Sequence, residues 1–147
     1  VEIIKSISEV KDVKQGSVGA GGGIINNLAA ILGYGEYDGY EVVTDAQTIH
    51  VLIDNGQCCC ESWGYLASDD DLSAFVGATL HGIALVDKGM NTRMVEAGQS
   101  LDEGGIVFVN FDTDRGLLQL ACYNGHNGYY GHEVHIISNQ ITQAIGV

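Results

Sequence analysis

A chain of 147 residues, 46% of them apolar, has the size of one domain and enough hydrophobic material to bury roughly 70% of its unfolded surface, which excludes a disordered chain and argues against a second domain. Nineteen acidic residues against 6 basic ones give a net charge of −13. That field repels phosphate backbones and anionic headgroups, so neither a nucleic-acid polymer nor a membrane is expected as a partner, whereas a small anionic ligand in a local pocket or a basic protein surface stays compatible.

No apolar run reaches the roughly 20 residues of a bilayer span, and residues 1–14 lack the zoned pattern of a signal peptide, so a cytoplasmic protein is expected. In chain order, residues 1–13 carry Ile3, Ile4, Ile7 and Val10 at helical spacing, but their β-branched content favours a strand. Residues 16–35 pack seven glycines around a short apolar stretch. They read as a loop followed by a short helix at 25–32, with an oxyanion cradle as the functional alternative; neither the P-loop nor the dinucleotide fingerprint fits.

Residues 40–44 and 48–53 are β-branched and aromatic runs joined by Asp45-Ala46-Gln47, which predicts a hairpin, and Asp54-Asn55-Gly56 supplies the next turn into a strand at 58–66. The segment 68–77 has Ser68 as a cap, three carboxylates after it and Gly77 at its end, predicting a short amphipathic helix that packs Leu72, Phe75 and Val76 on the sheet. Strands are expected at 79–87, 92–96, 106–111, 117–123 and 132–138, with 112–116 as a tight turn. The sum is one α+β domain over residues 1–147: a mostly antiparallel β-sheet with one or two short helices packed on it.

Reactive chemistry is weakly marked. Cys58, Cys59, Cys60 and Cys122 do not form a spaced disulfide framework and read as reduced thiols, none placed beside a histidine. His132 and His135 would leave a strand on opposite faces, so they do not share a metal ion, and the carboxylate pairs sit in turns or at helix starts. No catalytic residue, metal or cofactor is therefore expected. The segment 121–134 (ACYNGHNGYYGHEV) stands out, because aromatics, amides and imidazoles on a glycine-hinged turn can stack a base and bond its edge; a long turn whose tyrosines cover the core edge explains it equally well.

Two motifs carry a resemblance: Gln57-Cys58-Cys59-Cys60-Glu61-Ser62-Trp63, followed by the aspartate-rich helix start and Phe75-Val76-Gly77, and then Asn127-Gly128-Tyr129-Tyr130-Gly131-His132-Glu133-Val134. Over residues 40–138 the chain resembles small bacteriophage and prophage domains of unknown function. It is more loosely similar to the phage Thoeris anti-defence proteins, which sequester cyclic ADP-ribose-type signals and, in some members, cyclic oligonucleotides. The resemblance implies a non-enzymatic homo-oligomer, working in the bacterial host cytoplasm, that withholds a cyclic nucleotide-type signal. In that reading Arg115 or Arg93 pairs with phosphate, Trp63, Tyr129 or Tyr130 stacks the base, and Asn124, His126 and Asn127 read its edge. The alternative is an acidic inhibitor that occupies a basic surface of a host enzyme.

Overall fold

The computed structural model describes residues 1–14, 35–56, 61–99, 101, 104–126 and 131–147. Among them nine strands form one antiparallel sheet: β1 (Glu2–Val13), β2 (Tyr37–Thr44), β3 (Thr48–Asp54), β4 (Ser62–Ala67), β5 (Thr79–Val86), β6 (Gly105–Thr113), β7 (Gly116–Gly125), β8 (Glu133–Ile137) and β9 (Thr142–Gly146), in the spatial order β4-β7-β6-β5-β1-β2-β3-β8-β9. Among the described residues the architecture is thus mostly β, with one α-helix, α1 (Thr92–Gln99), and a single 3-10 turn at Leu72–Phe75. The expected helix at 25–32 lies outside the described residues.

β1 joins the two halves. It pairs with β2 along its length and with β5 through Glu2↔Leu80 and Ile3↔Thr79, and two register shifts, between Ile4/Ser6 and Val10/Val13, let it serve both partners. The halves pack face to face: Val42, Ile49, Val51, Val134 and Ile136 of one meet Val109, Phe111, Leu118 and Leu120 of the other, all fully buried. Each side chain of this core removed from water contributes about 1.5–3 kcal/mol. Two hydrogen bonds cross the fold: the Tyr65 hydroxyl on β4 donates to Glu9 on β1 at 3.1 Å, and Ile83 N on β5 donates to Oε1 of Gln140, in the turn between β8 and β9, at 3.2 Å.

β2 and β3 are buried on both faces. Tyr40, Val42, Ile49, Val51 and Ile53 enter the main core, while Tyr37 and Leu52 form a second cluster on the opposite face with Ile137. Gly39 sits hard against the facing strand: its φ is +155° and a Cβ there would lie 2.0 Å from the Val51 carbonyl oxygen.

Two expectations are corrected. Residues 92–96 are not a strand but the start of α1, because the Asn91 carboxamide oxygen accepts from Met94 N at 3.1 Å as an N-cap and Met94 buries completely against Phe108 and Ala121. The segment 68–77 is shorter than the helix predicted. Ser68 is taken by β7, its Oγ accepting from Gln119 N at 3.0 Å, so capping passes to Asp71, which accepts from Ser73 N at 3.2 Å. Phe75 buries as expected, whereas Val76 is 37% exposed. A strand that the sequence pattern did not show, β9, closes the sheet beside β8.

Candidate functional site

The polar groups of greatest chemical interest gather where β3 ends, β4 and β8 begin and β7 ends. Glu61 and His132 each immediately precede a strand, and their side chains are 1% and 4% exposed. His132 is held by its backbone, since its N–H donates to the Val147 carbonyl and its own carbonyl accepts from Val147 N, both at 2.8 Å. Nδ1 of its ring lies 2.5 Å from the Asp54 carbonyl oxygen, and Nε2 lies 2.7 Å from Oε2 of Glu61. A carbonyl only accepts, so Nδ1 carries hydrogen, and the ring is engaged at both nitrogens. That the buried imidazole and carboxyl meet each other's hydrogen-bonding atoms is what makes their burial tolerable.

Trp63 stacks on the His132 ring with centroids 5.6 Å apart and planes at 27°. Across the β4–β7 ladder Trp63 is the register partner of Asn124. Asn124 is fully buried and its Nδ2 donates to the Val147 carbonyl at 3.4 Å. The backbone closes tightly round it, because a Cβ on Gly104 would fall 1.6 Å from the Asn124 carbonyl oxygen. His126 follows β7 directly. Thus the structure brings together Trp63, Asn124 and His126 of the residues expected in a ligand site. Asn127, Tyr129 and Tyr130 lie outside the described residues, as do Cys58, Cys59 and Cys60.

The two arginines do not join them. Arg115 sits in the β6–β7 turn, nine residues along β7 from Asn124, a separation of about 30 Å at 3.4 Å per residue. Its Nη1 donates to the carbonyls of Ala74 and Val76 at 3.0 and 2.7 Å, closing the 3-10 turn. Arg93, on α1, makes a two-pronged ion pair with Asp70 at 2.7 and 2.9 Å. Neither arginine, expected to pair with phosphate, is among the residues gathered at the Trp63 end; both guanidinium groups donate to acceptors of the protein itself.

A second buried pair was not anticipated. Glu41 on β2 and His50 on β3 are register partners, with Nε2 3.0 Å from Oε2 and side chains 1% and 4% exposed. Burial lowers the His50 pKa from its ordinary value, opposed by the hydrogen bond and charge of Glu41. On the same face His135 is 1% exposed and packs edge-on against Tyr37 at 5.1 Å, and neither of its ring nitrogens has a hydrogen-bond partner. Its pKa is also lowered, by burial first, with Glu133 and Asp54 opposing. Between the halves, burial and then the Glu9 hydrogen bond push the Tyr65 phenol up to about 12, and the Tyr40 phenol is raised as well, so both stay protonated donors. Burial also raises the Cys122 thiol, which makes it a core side chain and no nucleophile.

A groove of about 420 Å³ runs beside α1 on the other face of the β6–β7 sheet, lined by Lys88, Val95, Gln99, Ile106 and Phe108. No helix among the described residues is long and apolar enough to cross a membrane. Nothing among the curated proteins or the solved structures matches the chain. Residues 2–136 match a family described as a domain of unknown function, DUF7448, and the chain belongs to that family.

Proposed function

We propose that the chain is a sequestering protein that binds a small, base-bearing ligand of the cyclic-nucleotide type at the end of the sheet occupied by Trp63, Asn124 and His126. In the phage setting that the resemblance implies, it withholds an immune signal from a host effector. The observation that carries the reading is the half-buried Trp63 beside the end of β7, with the half-buried His126 directly after that strand: an indole and an imidazole at one sheet end, with the buried Asn124, the register partner of Trp63, holding the ladder there. The buried pair of Glu61 and His132 against the indole supports binding, because a ring engaged at both nitrogens holds Trp63 in a fixed orientation and preorganises a stacking surface.

The test is the thermal midpoint of the protein against a panel of cyclic di- and trinucleotides and cyclic ADP-ribose isomers. A native-state ligand at a hundred times its Kd stabilises by about 2.7 kcal/mol, which is readily visible as a raised midpoint. Arg115→Ala should leave that rise intact, because the arginine belongs to the opposite end of β7. A panel in which no member moves the midpoint would sink the proposal. The net charge of −13 favours a second reading, occupation of a basic groove on a host enzyme. Such a partner would be captured at low salt and lost at high salt.

A further inference from the structure

We infer that β9 is a dimerisation edge, and that two copies of this chain pair their β9 strands antiparallel about Ala144 into one continuous sheet. The inference is independent of which ligand the protein binds.

The hydrogen bonds at the two ends of the β8–β9 hairpin fix which backbone groups are spare. Ser138 N donates to the Ile141 carbonyl at 2.8 Å, and His132 and Val147 exchange both of their bonds at 2.8 Å. The register between them is unbroken, from Ile137↔Thr142 to Glu133↔Gly146. Antiparallel ladders alternate bonded and non-bonded pairs. Gln143 and Ile145 therefore face β8 with their N–H and C=O groups, while Thr142, Ala144 and Gly146 point theirs away from the sheet. All three of these residues are exposed, and a Cβ added at Gly146 would meet no heavy atom within 4 Å.

Protein edges are normally guarded by charge, proline or a bulge. β9 has none of these: its sequence is TQAIG and its register has no shift. The other edge strand, β4, is tied back to β1 through Tyr65 and Glu9. The occupant follows from the charge. In a chain of net charge −13, residues 136–147 contain no acidic or basic side chain, so this edge offers nothing to select a charged partner strand. It is also a stretch along which two copies can approach without setting like charges opposite one another. Pairing about Ala144 sets Thr142 opposite Gly146 of the second copy and Ala144 opposite itself. Three such pairs exchanging two bonds each use every spare donor and acceptor of the edge, in an isologous two-fold contact.

Sedimentation of the full chain over a wide concentration range tests the inference. The wild type should pass from monomer to dimer as concentration rises. Ala144→Pro removes an outward N–H, which an edge strand tolerates, and should weaken dimerisation about 30-fold or more while the circular dichroism and melting of the monomer stay unchanged. Ala144→Cys offers a second measurement, because paired residues in such a ladder have Cα atoms about 5.5 Å apart, within disulfide reach. Mild oxidation should then give a covalent dimer whose mapped link joins residue 144 to residue 144. A wild type that remains monomeric at every concentration leaves the edge to some other strand and overturns the inference. So does a dimer that Ala144→Pro leaves intact, or a cross-link that maps elsewhere.

Discussion

Removing the imidazole of His132 should be among the costliest single changes in this protein, and its consequences can be worked through from the geometry. His132→Ala deletes the Nε2 contact with Glu61 at 2.7 Å and the Nδ1 contact with Asp54 at 2.5 Å, and takes away the ring on which Trp63 stacks. Glu61 stays behind with a side chain 1% exposed. Breaking a buried pair from one side costs about 3–5 kcal/mol, and the lost stack adds about 0.5–1.5 kcal/mol. Glu61→Gln is gentler. A neutral imidazole can keep Nδ1–H on the Asp54 carbonyl and accept at Nε2 from the new amide, so only the charge assistance goes, about 1 kcal/mol. Urea unfolding followed by fluorescence suits the experiment, because Trp63 is the one tryptophan in the chain and lies against the ring in question. The ordering decides the matter: a His132→Ala loss below about 1 kcal/mol, or a Glu61→Gln loss equal to it, would refute a buried, hydrogen-bonded pair.

Three further outcomes follow from the same structure. Burial holds the His135 pKa down in the folded state, so the unfolded chain binds more protons, and the stability His135 contributes is present above the ordinary imidazole pKa near 6.5 and is lost as pH falls through the depressed folded value. His135→Phe keeps an edge-on ring against Tyr37 and removes two ring nitrogens that make no hydrogen bond, giving up only a 3.6 Å contact with the exposed Glu133 carboxylate; it should raise stability by about 1 kcal/mol at neutral pH and more at mildly acidic pH, with urea melts at the two conditions as the check. Asn91→Ala should cost about 1–2 kcal/mol by uncapping α1 and releasing the bond from Asn91 to the Ser68 carbonyl, while Asn91→Asp keeps the cap and should lose less; equal losses would deny the capping role. Gly39→Ala, driving a Cβ to 2.0 Å from the neighbouring backbone, should cost more than about 3 kcal/mol or prevent folding, and a near-neutral melt would show that β2 and β3 do not approach as described.

Local chemistry carried the strands. Alternation and turn residues placed β2, β3, β5, β6 and β7 within a few residues of their observed bounds, because each lies in a hairpin or beside a buried face that its own sequence signals. α1 was hidden because Thr92, Met94 and Val95 read as a β-branched and apolar run, although the cap that starts the helix, Asn91, was legible three residues before Met94. β9 was hidden by length and by composition. Five residues with one β-branched pair and no charge give little pattern, and the same lack of charge leaves its edge unguarded.

The buried pairs were lost for a different reason, which is register and topology. With three loop residues, 45–47, Glu41 would face Val51. The observed ladder instead sets Val43 against Thr48, one residue over, and it is that single step that brings Glu41 opposite His50. Glu61 and His132 stand 71 positions apart, and they meet only because the chain leaves β7 in one half of the sheet and enters β8 in the other. No turn signal or periodicity near either residue encodes that crossing. A site built at such a crossing is assembled by the fold as a whole, so its pairing cannot be read from either stretch of sequence: a glutamate after a cysteine run, and a histidine in a glycine-rich turn. The same argument separates Arg115 from Asn124. Ten residues of one strand looked like neighbours along the chain, but a β-strand is the element that carries its two ends furthest apart, and an arginine at one end cannot reach a ligand held at the other.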